Sequence, residues 1–189
     1  VFLGSEGQNL SIFPSSICGR GPNGDEAGDP RRIRAMSDTN AIKWLRTQGV
    51  GFEVHEYDYE RIGAEAAATA IDRPLEMVCK TLIVRSPDRN VFAAIVPGDQ
   101  RFDTRKMAAA IGAKGADLIE AAEAERISGY KLGGVSPFCM RRAVPTLIEE
   151  TLTLVDRIVV NAGRRGLLVE LATEDAIRLL DARTADICA

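Results

Sequence analysis

The sequence predicts an α+β domain built around a mixed, largely antiparallel sheet. Two apolar runs, "CKTLIVR" (Cys79–Arg85) and "VFAAIVP" (Val91–Pro97), flank the turn "SPDRN" and read as a central β-hairpin. Helical stretches are interspersed with strands but show no regular βαβ alternation. A second pair of strands, near 158–161 and 167–171, is joined by the turn "NAGRRG".

Residues 1–35 are rich in Gly, Pro, Ser and Asn without a sustained period, and are expected to be a flexible extension preceding one domain over 36–189. Met36 is the expected functional start, with the preceding segment an upstream extension or cloning remnant; "RRIR" as a basic arm contacting a partner is the lesser alternative. Ser37 and Asp38 look like a helix N-cap pair before "TNAIKWLRTQG", where Ile42 and Leu45 share a face and Gly49 supplies the stop. "FEVHEY" (52–57) alternates as a half-buried strand does, and an alanine-rich helix follows over Ala64–Ile71, closed by "DRP". After the hairpin, Asp103 is placed to cap a helix running to Ile111, and 118–127 reads as a second helical stretch with an acidic face. A loop, "YKLGGVSPFCMRR" (130–142), precedes a strand at Thr146–Glu149. The last helix opens at Thr173, with Glu174 and Asp175 favouring its dipole.

Composition narrows the function. The chain has 189 residues, 46% apolar and 27% charged, with a net charge of −3; one soluble domain is expected, and a nonspecific duplex-binding coat of positive charge is not. Four cysteines lie far apart with no CxxC pair and there is one histidine, so neither a zinc site nor a disulfide framework is expected. No apolar run approaches the length of a membrane span and no signal-peptide pattern opens the chain; the expected location is the cytoplasm.

Lys80 shares its strand face with Leu82 and Val84. An ammonium on an apolar face needs a carboxylate, a carbonyl or a ligand, unless it snorkels from the strand end to solvent. The loop offers Gly133 and Gly134, whose backbone can approach a carbonyl or ester oxygen closely, with Pro137 fixing the chain direction; a plain turn is the simpler alternative. It is not a P-loop, since GxxxxGK[ST] is absent. Ser136 lies in no GxSxG elbow and the single histidine, His55, is in a strand, so a Ser-His-Asp hydrolase is not expected. Cys139 has only Arg141 and Arg142 as nearby basic residues and is also readable as a small buried hydrophobe. Lys131, Arg141 and Arg142 flank the loop, and Arg164 with Arg165 occupies the turn; if loop and turn meet, they form a local positive rim suited to a few phosphates. No helix-turn-helix is recognisable, so specific DNA binding is not expected.

At these residues the chain resembles the YbaK and prolyl-tRNA synthetase-associated aminoacyl-tRNA editing domain family. The likeness runs over nearly all of 36–187 and rests on "HEY" at 55–57, "KTLIV" at 80–84, "GYKLGGVSP" at 129–137, "RRAVPTLIE" at 141–149 and "VVNAGRRGLLVEL" at 159–171. The resemblance implies a curved, largely antiparallel sheet flanked by helices and a pocket for the aminoacyl-adenosine end of a charged tRNA. It implies that Lys80 contacts substrate, that Gly134 with its neighbouring amides faces the ester carbonyl, and that Tyr57, Thr81, Gly133, Ser136, Pro137 and Asn161 line or brace the pocket. Lys131, Arg141, Arg142, Arg164 and Arg165 become candidates for contact with the tRNA end.

The wording is most similar to the YbaK type, which implies hydrolysis of Cys-tRNA(Pro), with prolyl-tRNA synthetase as a partner and no cofactor or metal. In that type the substrate thiol attacks its own carbonyl, a thiolactone route that needs no protein base. Editing of another tRNA, charged with alanine or serine, and a nonenzymatic tRNA or synthetase adaptor are the alternatives. Two positions depart from the family pattern: Asn161 stands where a serine is frequent, and Leu168 where some members carry an aspartate, so no carboxylate is available there.

Overall fold

A computed structural model describes residues 38–59 and 63–189. The expectations for 1–35 and for Ser37 as a cap lie outside those residues.

Among the described residues, eight strands and five α-helices follow one another in the order α1 (Asn40–Thr47), β1 (Phe52–Glu56), α2 (Ala64–Ile71), β2 (Cys79–Arg85), β3 (Val91–Pro97), α3 (Thr104–Ala110), β4 (Asp117–Leu118), α4 (Ala121–Ser128), β5 (Thr146–Glu149), β6 (Arg157–Arg164), β7 (Leu167–Ala172), α5 (Thr173–Leu180) and β8 (Arg183–Ala185). The strands divide into two sheets, ordered β1-β7-β6 and β4-β2-β3-β5-β8. The first is antiparallel throughout. In the second, β4-β2-β3 is antiparallel while β5 and β8 add in parallel. An isolated parallel bridge from Val78 to Val159 joins the sheets just ahead of Lys80.

The central hairpin is as the sequence predicts, with Lys80 opposite Val96 and Val84 opposite Phe92. Ala93, Ala94, Ile95 and Val96 are all fully buried. Both faces of β3 are covered, which is why it reads as a continuous apolar run rather than an alternation. The core between the sheets gathers Ile158, Val160, Leu167, Val169 and Leu171 with Ile95, Ile148 and Phe138, and α1 closes it with Ala41, Ile42 and Leu45. Burying Ile42 and Leu45 contributes about 1.5–3 kcal/mol each. Trp44 stacks on Phe138 at 5.7 Å between ring centroids, tying α1 to the glycine loop.

Several boundaries differ from the sequence reading. Thr39, not Asp38, caps α1, its hydroxyl accepting from the Ile42 amide at 3.3 Å; Asp38 pairs with Arg46 instead. Leu118 belongs to the short strand β4 beside Val84, and α4 starts only at Ala121, because the edge of β2 takes the first residues of the expected helix. β6 runs through Asn161 to Arg164 with a register irregularity, so the turn to β7 is only Arg165 and Gly166. β8 has no counterpart in the sequence expectations, since three residues with one partly buried side chain carry no periodic signal. Asp103 caps α3 as expected, accepting from the Arg105 amide at 2.7 Å and the Lys106 amide at 3.2 Å.

Candidate functional site

A cleft of ≈ 680 Å³ opens beside the N-terminal end of β2, within the size range of small-molecule sites. Tyr57 and Asp58 beyond β1 form one side, Ala64, Glu65, Ala66, Thr69 and Ala70 of α2 another, and Lys80 and Gly98 a third. The Lys80 ammonium donates to the carbonyl oxygens of Gly98 at 3.1 Å and Gln100 at 2.6 Å. These carbonyls answer the polarity problem of an ammonium on an apolar strand face. An ammonium has three N–H donors, so one remains beyond this pair.

Tyr57 is half-buried and its phenol is shifted upward, first by burial and then by Tyr59, so it stays protonated at neutral pH. Its backbone N–H donates to Gly166 at 2.9 Å, fixing the residue to the turn after β6.

The glycine loop stands on the other side of these tyrosines. Strand alternation puts Thr81 on the face opposite Lys80: Leu82 and Val84 pack with Val96, Met107 and Ile187, whereas Ile83 packs with Tyr130 and Val135. Thr81 Oγ1 is buried with no hydrogen-bond partner. Ser136 is fully buried and its hydroxyl accepts from the Phe138 amide at 3.2 Å, bracing the loop. Tyr130 donates to the carbonyls of Phe138 at 2.8 Å and Cys139 at 3.1 Å, cross-linking the loop's two arms. Gly134 and Pro137 are also buried, and none of Gly133, Gly134, Ser136, Pro137 or Thr81 belongs to the lining of the Lys80 cleft.

The two glycines serve close approach. Gly133 has φ +85°, and a Cβ there would fall on the Tyr59 hydroxyl. A Cβ at Gly134 would come within 2.7 Å of the Arg164 carbonyl carbon and the Arg165 nitrogen. Loop and turn therefore do meet. The Gly134 amide, expected to face an ester carbonyl, donates instead to Lys131 at 2.9 Å, so that N–H is already committed.

Of the basic rim, Arg165 lies over the Tyr59 ring at 5.6 Å and donates through Nε to Leu132 at 2.8 Å. Lys131 pairs with Glu125 at 2.8 Å and Arg164 with Glu56 at 3.3 Å, both exposed. Arg141 packs along Gly129 at the far end of α4 and Arg142 is exposed. Asn161 is partly exposed and pairs across the ladder with Leu168. Leu168 is buried with Ala67, Ala68, Val78 and Val159 under α2, where an aspartate would have entered an apolar cluster.

The sequence reading missed two groups. Asp58 and Glu65 bring carboxylates to the cleft that holds Lys80; exposed acids carry no signal in a sequence. Glu170 is 4% exposed and accepts from Arg157 Nε at 2.8 Å, Arg73 Nε at 2.8 Å and His55 Nε2 at 2.9 Å. Burial works against its charge, but the two arginines and the histidine outweigh it and hold the carboxyl down at about 2. Glu53, His55 and Glu170 bring donor atoms within 4.8 Å of one another. Both Glu170 oxygens are already taken by arginine, which makes this an ion-pair cluster rather than a ligand set. Neither buried thiol is activated: burial raises Cys79 strongly and pushes Cys188 up to about 12. Among the described residues no helix is long and apolar enough to cross a membrane.

The chain is 29% identical over 156 residues to an Enterococcus faecalis protein with the provisional name Cys-tRNA(Pro)/Cys-tRNA(Cys) deacylase EbsC, covering 82% of this chain and 95% of that one. It is 28% identical over 150 residues to the Escherichia coli (strain K12) multifunctional Ser/Thr-tRNA deacylase ProXp-y, covering 77% and 89%. Among solved structures, a provisionally assigned trans-editing enzyme for prolyl tRNA synthetase superposes with a TM-score of 0.70 at 22% identity, covering 86% of this chain and 99% of that one. The hypothetical protein APE2540 superposes with 0.72 at 23% identity, covering 78% and 97%. At such identities these likenesses speak to the fold. The family model for the aminoacyl-tRNA editing domain matches residues 61–179, from the α2 wall of the cleft through the glycine loop to α5, and the chain belongs to that family.

Proposed function

We propose that the protein is a trans-editing hydrolase that removes a wrongly attached amino acid from tRNA, with Cys-tRNA(Pro) as its substrate. The observation that carries the reading is Lys80. Its ammonium stands on the wall of an open cleft with two donors fixed by Gly98 and Gln100, so the third is oriented before substrate arrives. A preoriented cationic donor stabilises an oxygen that gains negative charge, and it costs no reorganisation at the moment of reaction.

The aminoacyl ester would enter beside Lys80 and Tyr57, with Asp58 and Glu65 attracting its α-ammonium. For a cysteinyl ester the substrate thiolate attacks its own carbonyl carbon. The carbon–ribose oxygen bond breaks, the tRNA hydroxyl takes a proton, and the thiolactone released is opened by water. The protein's part is to hold the ester in the attacking conformation and stabilise the oxyanion. This route fits a cleft whose described lining includes neither cysteine nor histidine, the chain's one histidine being bound to Glu170. Because the Gly134 amide is committed to Lys131, oxyanion stabilisation falls first to Lys80. Gly134 acts by letting the loop lie against the Arg164–Arg165 turn. Lys131, Arg141, Arg142, Arg164 and Arg165 supply local positive charge for the tRNA end, and prolyl-tRNA synthetase is the partner that delivers the mischarged product.

A second reading, clearance of serine or another small amino acid, is favoured by the likeness to the Ser/Thr-tRNA deacylase. A panel of tRNAs charged with Cys, Ser, Thr or Ala, with and without prolyl-tRNA synthetase, separates the two. Hydrolysis of Cys-tRNA(Pro) ahead of the others is expected. Faster clearance of Ser or Thr overturns the substrate assignment, and salt-sensitive tRNA binding with no hydrolysis at all overturns the enzymatic reading.

A further inference from the structure

One wall of the cleft is held lightly by apolar packing. α2 has eight residues, fewer than a helix needs to persist alone in water. It begins at Gly63 without a side-chain cap and ends on Asp72 in the left-handed conformation, which aspartate adopts more readily than most non-glycine residues. Its buried residues are Ala67 and Ala68, whose methyls remove little apolar area from water, and Ala64 and Ile71 are partly buried against the same cluster.

A polar tether supplements that packing. Arg73 follows the helix cap, its backbone N–H returning to the Ala68 carbonyl at 3.0 Å, while its Nε donates to Glu170 on β7 at 2.8 Å. The guanidinium is thus fixed to the helix end and the carboxylate to the sheet. The same Glu170 oxygen faces His55 at 2.9 Å, two residues before Tyr57. The α2 wall and the strand leading to Tyr57 converge on one buried carboxylate that is not itself part of the cleft lining.

We propose that Glu170 is a positioning residue of the cleft: through Arg73 it docks the α2 wall onto β7, and through His55 it sets the strand that presents Tyr57. This rests on the reading of the cleft as the substrate site. Arg157 provides an internal control, because it binds the other Glu170 oxygen from β6 and shares with Arg73, besides Glu170, just the exposed Glu53, at 3.6 Å from Arg157 and 3.8 Å from Arg73.

The test compares Glu170→Gln, Arg73→Gln and Arg157→Gln in the full chain by hydrogen–deuterium exchange and by steady-state deacylation of charged tRNA. Glu170→Gln and Arg73→Gln are expected to speed exchange across Ala64–Ile71 by about tenfold relative to α5, and to raise KM roughly fivefold with kcat little changed. Arg157→Gln is expected to lower the melting temperature while leaving exchange in α2 and KM as they were. Unchanged α2 exchange in Arg73→Gln, or the same α2 response in Arg157→Gln, overturns the proposal. Should Glu170→Gln fail to fold, Arg73→Gln, altered at a partly exposed side chain, decides. If the unsubstituted protein hydrolyses none of the charged tRNAs, the functional reading fails, while the exchange measurement still decides how α2 is docked.

Discussion

Lys80 and Gln100 meet at 2.6 Å, ammonium to carbonyl oxygen, across the end of the central hairpin. This contact gives a lysine on an apolar strand face a fixed direction, and it gives the loop after β3 a fixed position. Lys80→Met keeps the stem and removes the charge. We expect it to lower the single-turnover deacylation rate about 100-fold, the size of losing one oxyanion donor. Stability should fall by only about 1–2 kcal/mol, because the two carbonyls stand near the open cleft and can rehydrate. Rapid-quench kinetics and thermal melts check both numbers. A rate within a few-fold of the unsubstituted protein removes Lys80 from the mechanism.

Gly133 and Tyr59 form a second coupled pair. A side chain at 133 meets both an unfavourable φ of +85° and the tyrosine hydroxyl. Gly133→Ala should cost about 1–3 kcal/mol. Tyr59→Phe, which deletes the obstructing oxygen, should recover part of that loss in the double variant. The coupling is read from denaturant midpoints in a double-mutant cycle. Strict additivity shows that the backbone angle alone is responsible.

Glu170 makes stability depend on acid. In the fold its carboxyl is held down at about 2, below the ordinary glutamate value of 4.5, so the stabilising charge is fully present above about 4.5 and is lost as the pH falls toward 2. The melting temperature should therefore drop steeply over that window. In Glu170→Gln the same titration should be flatter, from a lower starting value at neutral pH. A parallel pair of curves contradicts the assignment of this carboxyl as the linked group.

Arg142 is exposed beside the glycine loop and is the cleanest probe of the basic rim. If it meets one phosphate of the tRNA end, Arg142→Gln should reduce the slope of log affinity against log salt by about 0.7–0.9, without changing the preference among amino acids. Filter binding across a salt series reads the slope. An unchanged slope places the tRNA on another face.

Much of the fold was legible because local chemistry and tertiary packing agree. The hairpin at Cys79–Arg85 and Val91–Pro97, the helix at Ala64–Ile71 and the cap at Asp103 each carry their own signal, whether an apolar run, an alanine-rich segment or a side-chain acceptor ahead of a helix. Where a neighbour intervened, local reading failed. Leu118 was drawn out of a helix by the edge of β2, and β8 exists only because β5 offers it a parallel edge.

The same division runs through the candidate site. By itself the sequence determined that Lys80 needs a polar partner, because alternation in a strand sets its face and an unpaired ammonium among apolar side chains is disfavoured. It also determined which segments carry the editing-family pattern. Only the tertiary structure decided that the partners are the carbonyls of Gly98 and Gln100, and that the Gly134 amide is committed within its own loop. It also decided that Glu170, an ordinary acid in "LVELA", gathers His55, Arg73 and Arg157 from three other segments. The physical reason is separation along the chain. Periodicity and propensity report a residue's immediate neighbours, whereas a buried carboxylate is stabilised by hydrogen-bond partners 13, 97 and 115 residues away that only folding brings together.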